Sequence, residues 1–456
     1  MAKVTFNTLR LLPFILFLLI TNLSGTTITA DNPNFFYVGR INNSVPDSPV
    51  LYWPGTYIKT KFEGTSLSIT LDDSTGQSYF DIYIDEDYDH PFLIDCKKGS
   101  NKYPVSSVLK DTVHSLLIFR RTEASTGSTK FLGLEIDEGK NLLEPDAELL
   151  RKILFYGDSI TCGYGDEAPD SYADDNLKYE NNFLAYGAVA SRLLKAEYMC
   201  IAKSGIGLMK SFFNLVMPDY YYRLDPEKAE SEWDFDLFVP DVVVINIMQN
   251  DSWLLGSRDS ATITNTYANF VRKIRSHHQA AFIVCALGSM DATRTGSPWP
   301  GYIKGAVESL NNNDNDQNIG TYFFPFDPAW SKHPRVRHQK AMGEKLASYI
   351  TEKLGWTTGI ENNSESKSPD HFQLKQNYPN PFNPSTTIEF YIDKPGKVKL
   401  TIYDLMGNEI KTLINEYKNT GNYTTVFNAT DLASGIYFYN LISADKAETR
   451  PMILMK

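Results

Sequence analysis

The sequence predicts three folded regions in series: a β-sandwich, an α/β domain built on a parallel sheet, and a smaller C-terminal β-sandwich. Three observations lead there. Apolar and polar residues alternate through "SLSITLDD" (66–73) and "YFDIYIDED" (79–87), the period-two signature of half-buried strands. From about residue 146 short apolar runs alternate with stretches of helical spacing, the pattern of a parallel sheet covered by helices on both faces. Strict alternation returns from about residue 372 and continues to the last residue.

Taken in order, residues 1–30 read as a signal peptide. Lys3 and Arg10 precede the apolar run "LLPFILFLLI" (11–20), which is short for a membrane anchor, and small polar residues follow to "TITA". Cleavage is expected near Ala30 or some residues earlier. Residues 31–145 form the first sandwich, with "SLLIFRRTE" and "KFLGLEIDE" as further strands. In residues 146–356, "ILFY", "EYMCIAKSG", "DVVVINIM", "AAFIVCALG" and "GTYFFPF" read as strands. Helices are expected over "ENNFLAYGAVASRLLKA", around "TNTYANFVRKIRSHH", near "YIKGAVESL" and over "RHQKAMGEKLASYITEKLG", the last stopped by Gly355. The polar stretch 357–371, "TTGIENNSESKSPDH", reads as a linker. Residues 372–456 supply "TTIEFYI", "KVKLTIYD", "NYTTVFNA", "GIYFYNLI" and "RPMILMK" as strands of the last sandwich.

Composition narrows the function. With 42% hydrophobic and 22% charged residues the chain is globular, and a net charge of -11 without a basic run argues against a nucleic-acid partner. Beyond the N-terminus nothing is apolar for long enough to span a bilayer. The four cysteines, at 96, 162, 200 and 285, have no paired spacing and read as buried free thiols. Cys162 has no activating base nearby in sequence, which ranks it below Ser159 as a nucleophile. No residues have metal-ligand spacing, G-x-S-x-G is absent, and Gly205 and Gly207 make only a bare G-x-G, so neither metal nor cofactor is expected.

Four segments carry the chemistry. Gly157-Asp158-Ser159 follows "ILFY", Ser204-Gly205-Ile206-Gly207 follows "EYMCIAK", Gln249-Asn250-Asp251 follows "VVVINIM", and His333 and His338 lie in "DPAWSKHPRVRHQ" after the last strand. Parallel strands would bring all four to one edge of the sheet, where ligands of such folds bind. A serine needs a base, and an acyl-transfer intermediate needs preset donors for its oxyanion. Ser159 with His333 fits the first need; the backbone N–H groups of Ser159 and Gly205 and the Asn250 amide fit the second. Each has a plainer reading: Ser159 as a helix cap, Gly205 as a turn glycine, Asn250 as a local turn residue, His333 as surface loop. Trp253 and Trp299 are candidate sugar platforms or core tryptophans.

"GDSIT", the later glycine, "QND" and "HP" resemble, in order, the four blocks of the SGNH (GDSL-like) hydrolases. Together with "RRTEASTGSTKFLGLEIDEGKNLLEP" (120–145), "GDSITCGYG" and "CALGSMDA", they make residues 36–355 similar to carbohydrate esterase family 2. That resemblance implies a jelly-roll sandwich followed by a three-layer SGNH domain, and cofactor-free deacetylation of plant polysaccharides such as xylan or glucomannan. By position it implies Ser159 as nucleophile, His333 as base, and Gly205 and Asn250 as oxyanion donors. Two positions depart from the usual pattern. Met248 stands where a glycine usually precedes the asparagine by two, and Trp330 stands where an aspartate usually precedes the histidine by three. Asp327 lies six residues before His333; the resemblance, in which some members use a Ser–His dyad, implies an imidazole oriented by a backbone carbonyl, with Asp327 as the alternative. His338, at the start of the last helix, is the lesser candidate base.

"LKQNYPNPFNPSTTIEF" (374–390), "IYDLMGNEI" and "ASGIYFYNLI" resemble the C-terminal sorting domain of type IX secretion. This implies delivery across the outer membrane of a Bacteroidetes-like bacterium, with type IX machinery and an acetylated polysaccharide as partners. The competing functions are an SGNH lipase- or thioesterase-like hydrolase and a non-catalytic glycan-binding module.

Overall fold

The computed structural model describes residues 25–171, 176–256, 259–330, 332–356, 372–377, 380, 382–443 and 446–455. Most of the expected signal peptide (1–24) and the whole linker (357–371) lie outside the described residues.

The alternating segments pair into two six-stranded antiparallel sheets. One runs Ile41–Asn42, Val50–Leu51, Thr129–Ile136, Leu67–Asp73, Gly99–Ser106, with Thr26–Ile28 added on Thr129–Ile136; the other runs Leu142–Leu143, Tyr57–Gly64, Thr112–Arg120, Tyr79–Ile84, Phe92–Asp95, with Phe36–Val38 added on Tyr57–Gly64. Burial alternates along Leu67–Asp73 as its sequence does, and Phe62, Ile69, Phe80, Ile118 and Phe131 fill the space between the sheets. Thr26–Ile28, which the sequence reading left inside the leader, pairs antiparallel with Thr129–Ile136, and Ala30 is buried.

The next five strands form a wholly parallel sheet in the order Ala196–Ala202, Arg151–Gly157, Val242–Asn246, Phe282–Leu287, Ile319–Phe323. The strands are nearly all apolar because helices cover both faces. Those helices are Tyr186–Leu193, Ser260–His277, Trp299–Asn313 and Val336–Leu354, the last capped by Gly355 in the left-handed conformation. One expected helix is shorter than its pattern. Glu180, Asn181 and Asn182 stay outside it because their polar groups are taken up by other parts of the molecule. Asn182 Nδ2 donates to Thr161 O at 2.9 Å, and Asn181 Nδ2 donates to Asp81 Oδ2 at 2.9 Å.

Asp81 belongs to the sandwich, and such contacts make the two regions one packed body. Val38, Trp53, Tyr57, Tyr83 and Phe119 of the sandwich share a single apolar core with the α/β sheet. Arg121 is buried between them. Its guanidinium pairs with Asp81 at 3.1 Å and with Glu167, and donates to Glu180 O and Lys178 O at 2.9 Å. Arg40 crosses at a second point, donating to Tyr221 O and Arg223 O at 2.7 Å inside a cage of Trp53, Trp233 and Phe235 rings.

The chain divides near residue 360 into two compact units. The second holds a three-stranded and a four-stranded antiparallel sheet around Phe382, Ile388, Leu400, Tyr439 and Met452. Each expected strand is present, joined by Glu409–Lys418, whose exposed apolar and charged residues lack a clean alternation.

Removing one partner of a buried ion pair leaves the other charge uncompensated, whereas surface pairs contribute little. Arg121→Met should therefore lower the urea-unfolding free energy of the first unit by about 3–5 kcal/mol. Arg337→Met, which breaks an exposed pair with Asp170 at 2.9 Å, should change it by about 0–1 kcal/mol. Similar losses in the two variants would contradict the buried role of Arg121.

Candidate active site

The strand Arg151–Gly157 ends against Thr161, so closely that a Cβ on Gly157 would collide with that side chain. Glycine there lets the chain turn at once into the single helical turn Ser159–Cys162. Asp158 caps the turn by accepting Ile160 N–H at 3.1 Å. Burial pushes its carboxyl up to about 7. Ser159 thus leaves the sheet edge with 7% of its surface exposed.

His333 sits between the last strand and the last helix, and its Nε2 lies 2.9 Å from Ser159 Oγ. Several bonds fix this loop. Trp330 Nε1 donates to His333 O at 2.9 Å, and the Tyr164 ring packs edge-on to the imidazole with centroids 5.1 Å apart. Arg335 Nη1 donates to Gly165 O at 2.6 Å, and Val336 N–H to Asp166 O at 3.0 Å. Gln339 Nε2 donates to Ile160 O at 3.0 Å, tying the last helix to the serine turn. His338 is engaged elsewhere: its Nδ1 accepts Arg335 N–H at 3.1 Å as part of the helix cap. Asp327 is exposed and its Oδ1 accepts Ala329 N–H at 2.9 Å, closing its own turn.

Beyond Ala196–Ala202, residues 203–206 form a tight turn in which Ile206 N–H reaches Lys203 O at 3.2 Å. Gly205 occupies its third position with φ +79°, the requirement of a type II turn. Among the described residues, no group accepts the N–H of Ser159 or of Gly205. Asn250 is buried in the helix Gln249–Leu254, and its Nδ2 donates one hydrogen to Ile206 O at 2.7 Å. The amide has a second hydrogen. Two backbone N–H groups and this side-chain donor therefore come from the three segments that the sequence reading singled out.

Met248 resolves one departure from the family pattern. Its φ of +95° is a left-handed conformation that glycine adopts without cost. The methionine adopts it with its side chain fully buried.

Sequence reasoning missed Asp251. Its carboxylate accepts Leu208 N–H and Met209 N–H at 2.7 Å and Lys210 N–H at 2.9 Å, which fastens the Gly205 loop to the Asn250 helix. Burial pushes this carboxyl up while the three N–H donors pull it down. The "QND" run was the available signal, but only the fold shows which backbone the aspartate holds. Cys162 is buried and its thiol is pushed well above the usual range, so it stays protonated. Among the described residues no group of three His, Cys, Asp or Glu side chains has the placement to hold a metal ion.

A cavity of about 290 Å³ flanks the His333 loop, lined by Trp253, Met290, Asp291, Phe326, Trp330 and Lys332. Trp253 is 43% exposed there and its indole N–H donates to Asp291 Oδ1 at 2.8 Å. Gln249 Nε2 donates to the same oxygen at 2.8 Å. Trp299 does not line this cavity; half-buried at the start of its helix, it packs edge-on against Tyr302 and the core. The structure thus brings Ser159 and His333 into contact, ties the Asn250 helix to the Gly205 loop, and separates the two tryptophans.

Comparison with known proteins bears on this geometry. Residues 37–145 match the carbohydrate esterase 2 N-terminal family, residues 155–341 the GDSL-like lipase/acylhydrolase family, and residues 376–455 the secretion system C-terminal sorting domain. The chain is 31% identical over 346 residues to an acetylxylan esterase/glucomannan deacetylase of Cellvibrio japonicus, covering 70% of this chain and 90% of that protein. It is 33% identical over 345 residues to the cellulase/esterase CelE of Acetivibrio thermocellus, covering 72% of this chain but only 40% of the length of CelE. A family two carbohydrate esterase from Clostridium thermocellum, solved in complex with cellohexaose, superposes with a TM-score of 0.65 at 31% identity, covering 71% of this chain and 100% of that one. The chain carries a C-terminal sorting domain and, as its motifs implied, belongs to carbohydrate esterase family 2.

Proposed function

We propose that this protein is an exported carbohydrate O-acetyl esterase that removes acetyl groups from xylan or glucomannan through a Ser159 acyl-enzyme. The contact of 2.9 Å between His333 Nε2 and Ser159 Oγ carries the reading. His333 accepts the hydroxyl proton as Ser159 Oγ bonds to the acetyl carbonyl carbon. The carbonyl oxygen, now an oxyanion, is held by Ser159 N–H, Gly205 N–H and the second Asn250 amide hydrogen. When the intermediate collapses, the C–O bond to the sugar breaks and His333 returns the proton to the departing hydroxyl. Water then attacks the acetyl-serine by the same path in reverse roles, releasing acetate and free Ser159.

Since Nε2 accepts in this scheme, Nδ1 carries the resting proton. We assign its orientation to a backbone carbonyl, because Asp327 is exposed and closes its own turn. The substrate follows from the names of the relatives and from the exposed Trp253 beside the site, an apolar surface suited to a sugar face. Trp299 is a weaker candidate, being packed on Tyr302. The sorting domain supports delivery to the cell surface or medium by type IX machinery. An amino-terminal signal would end upstream of Gly25, because Thr26–Ile28 is a strand of the sandwich.

Ser159→Ala should retain the wild-type circular dichroism spectrum and lose acetate release from acetylated xylan by a factor on the order of 10⁶. Wild-type protein that prefers butyrate or longer nitrophenyl esters to the acetylated polysaccharides would contradict the sugar-ester reading. A triad carboxylate is worth roughly 10⁴-fold in turnover. Asp327→Asn should therefore reduce kcat by no more than about tenfold, or ~1.4 kcal/mol, while His333→Ala removes nearly all activity and His338→Ala does not. An Asp327→Asn loss as deep as that of His333→Ala would show that the carboxylate orients the base.

A further inference from the structure

We propose that Glu123, a residue of the sandwich, is a positioning residue for the oxyanion donors: one of its carboxylate oxygens holds both the Gly205 turn and the Ser159 helix. This rests on the acyl-enzyme reading above and extends it to a part of the chain outside the α/β domain. Glu123 is buried, directly after the Arg121 segment that joins the two regions. Its Oε2 accepts Ser204 N–H at 2.7 Å and the Cys162 thiol at 3.6 Å. Ser204 is the second residue of the turn that presents Gly205, and Cys162 is the last residue of the helical turn begun by Ser159.

The turn leaves little freedom once Ser204 N–H is held. Ile206 N–H already closes it on Lys203 O, and Lys203 N–H reaches Gly157 O at 3.3 Å. Holding the Lys203–Ser204 peptide anchors one side of the central Ser204–Gly205 peptide, which carries the Gly205 N–H and whose orientation goes with Gly205 φ of +79°. Asn250 and Asp251 fasten the far side of the same loop. Without Glu123 the near side has a part-buried N–H that has lost its acceptor, a state that turns the peptide or admits water.

Glu123 is itself held. Its backbone N–H donates to Glu180 Oε1 at 2.6 Å. Burial pushes the Glu180 carboxyl well above its ordinary range. The benefit of Glu123 is geometric: an acceptor at the right reach. Glutamine offers the same acceptor at the same reach; aspartate draws it back by one methylene.

The experiment measures kcat and KM for acetyl-ester hydrolysis by the full-length wild-type, Glu123→Asp and Glu123→Gln proteins, each normalised to folded protein by circular dichroism. Displacing one oxyanion donor should lower kcat of Glu123→Asp by about 10–100-fold, below the 10²–10³ for full removal, with KM within about twofold. Glu123→Gln should keep kcat within about threefold even where its melting temperature falls. Wild-type kcat in folded Glu123→Asp, or equal losses in both variants that track the loss of folded protein, would overturn the proposal. Absence of acetyl-esterase activity in the wild type would instead overturn the acyl-enzyme reading beneath it.

Discussion

The first unit depends on one buried cation. Arg121 is almost wholly buried and finds its counter-charges on both sides of a boundary, Asp81 in the sandwich and Glu167 in the α/β region. A guanidinium in that place is tolerable only when both sides are present and closed around it. The carbonyls of Lys178 and Glu180 complete its shell, and residues 180–182 stay out of the helix that their spacing suggests. Asn181 and Asn182 then bond across the same boundary and beneath the serine turn. The sandwich is thus part of the scaffold under the catalytic edge.

That scaffold accounts for the geometry of the site. A parallel sheet brings strand ends to one edge but does not fix the loops beyond them to a fraction of an ångström. Here each loop is tied by a buried polar residue: Gln339 and Arg335 for the histidine loop, Asp251 for the glycine loop, Asn182 for the serine turn. Preorganised donors are worth most where water is excluded and nothing must move during reaction. The exposed neighbours differ in kind. Trp253 keeps nearly half its surface open, with its indole N–H donating to Asp291.

Much of this was legible in the sequence. The five parallel strands follow from short, nearly unbroken apolar runs, and the last helix from its period and terminal Gly355. Ser159, Gly205, Asn250 and His333 stood out because each lies in a segment that follows a short apolar strand and because those segments match the family's blocks in order. What escaped was what depends on another part of the chain. Glu180–Asn182 reads as a helix start until the sandwich claims its polar groups. Asp251 and Glu123 are ordinary acidic residues until folding shows which N–H groups they accept. Thr26–Ile28 follows a leader-like run, and only its pairing with Thr129–Ile136 assigns it to the sandwich. Trp299 and Trp253 could not be told apart by type; packing against Tyr302 separates them.

The most direct test of a shared scaffold is the unfolding of residues 146–356 expressed alone, compared with residues 25–356 and followed by circular dichroism in urea. The α/β segment alone exposes the apolar face covered by Trp53, Tyr57 and Phe119 and leaves Glu167 and Asn181 without their sandwich partners. The account predicts that it shows no cooperative transition, while residues 25–356 unfold in one. A cooperative transition of the isolated segment at a urea midpoint close to that of the longer chain would contradict it.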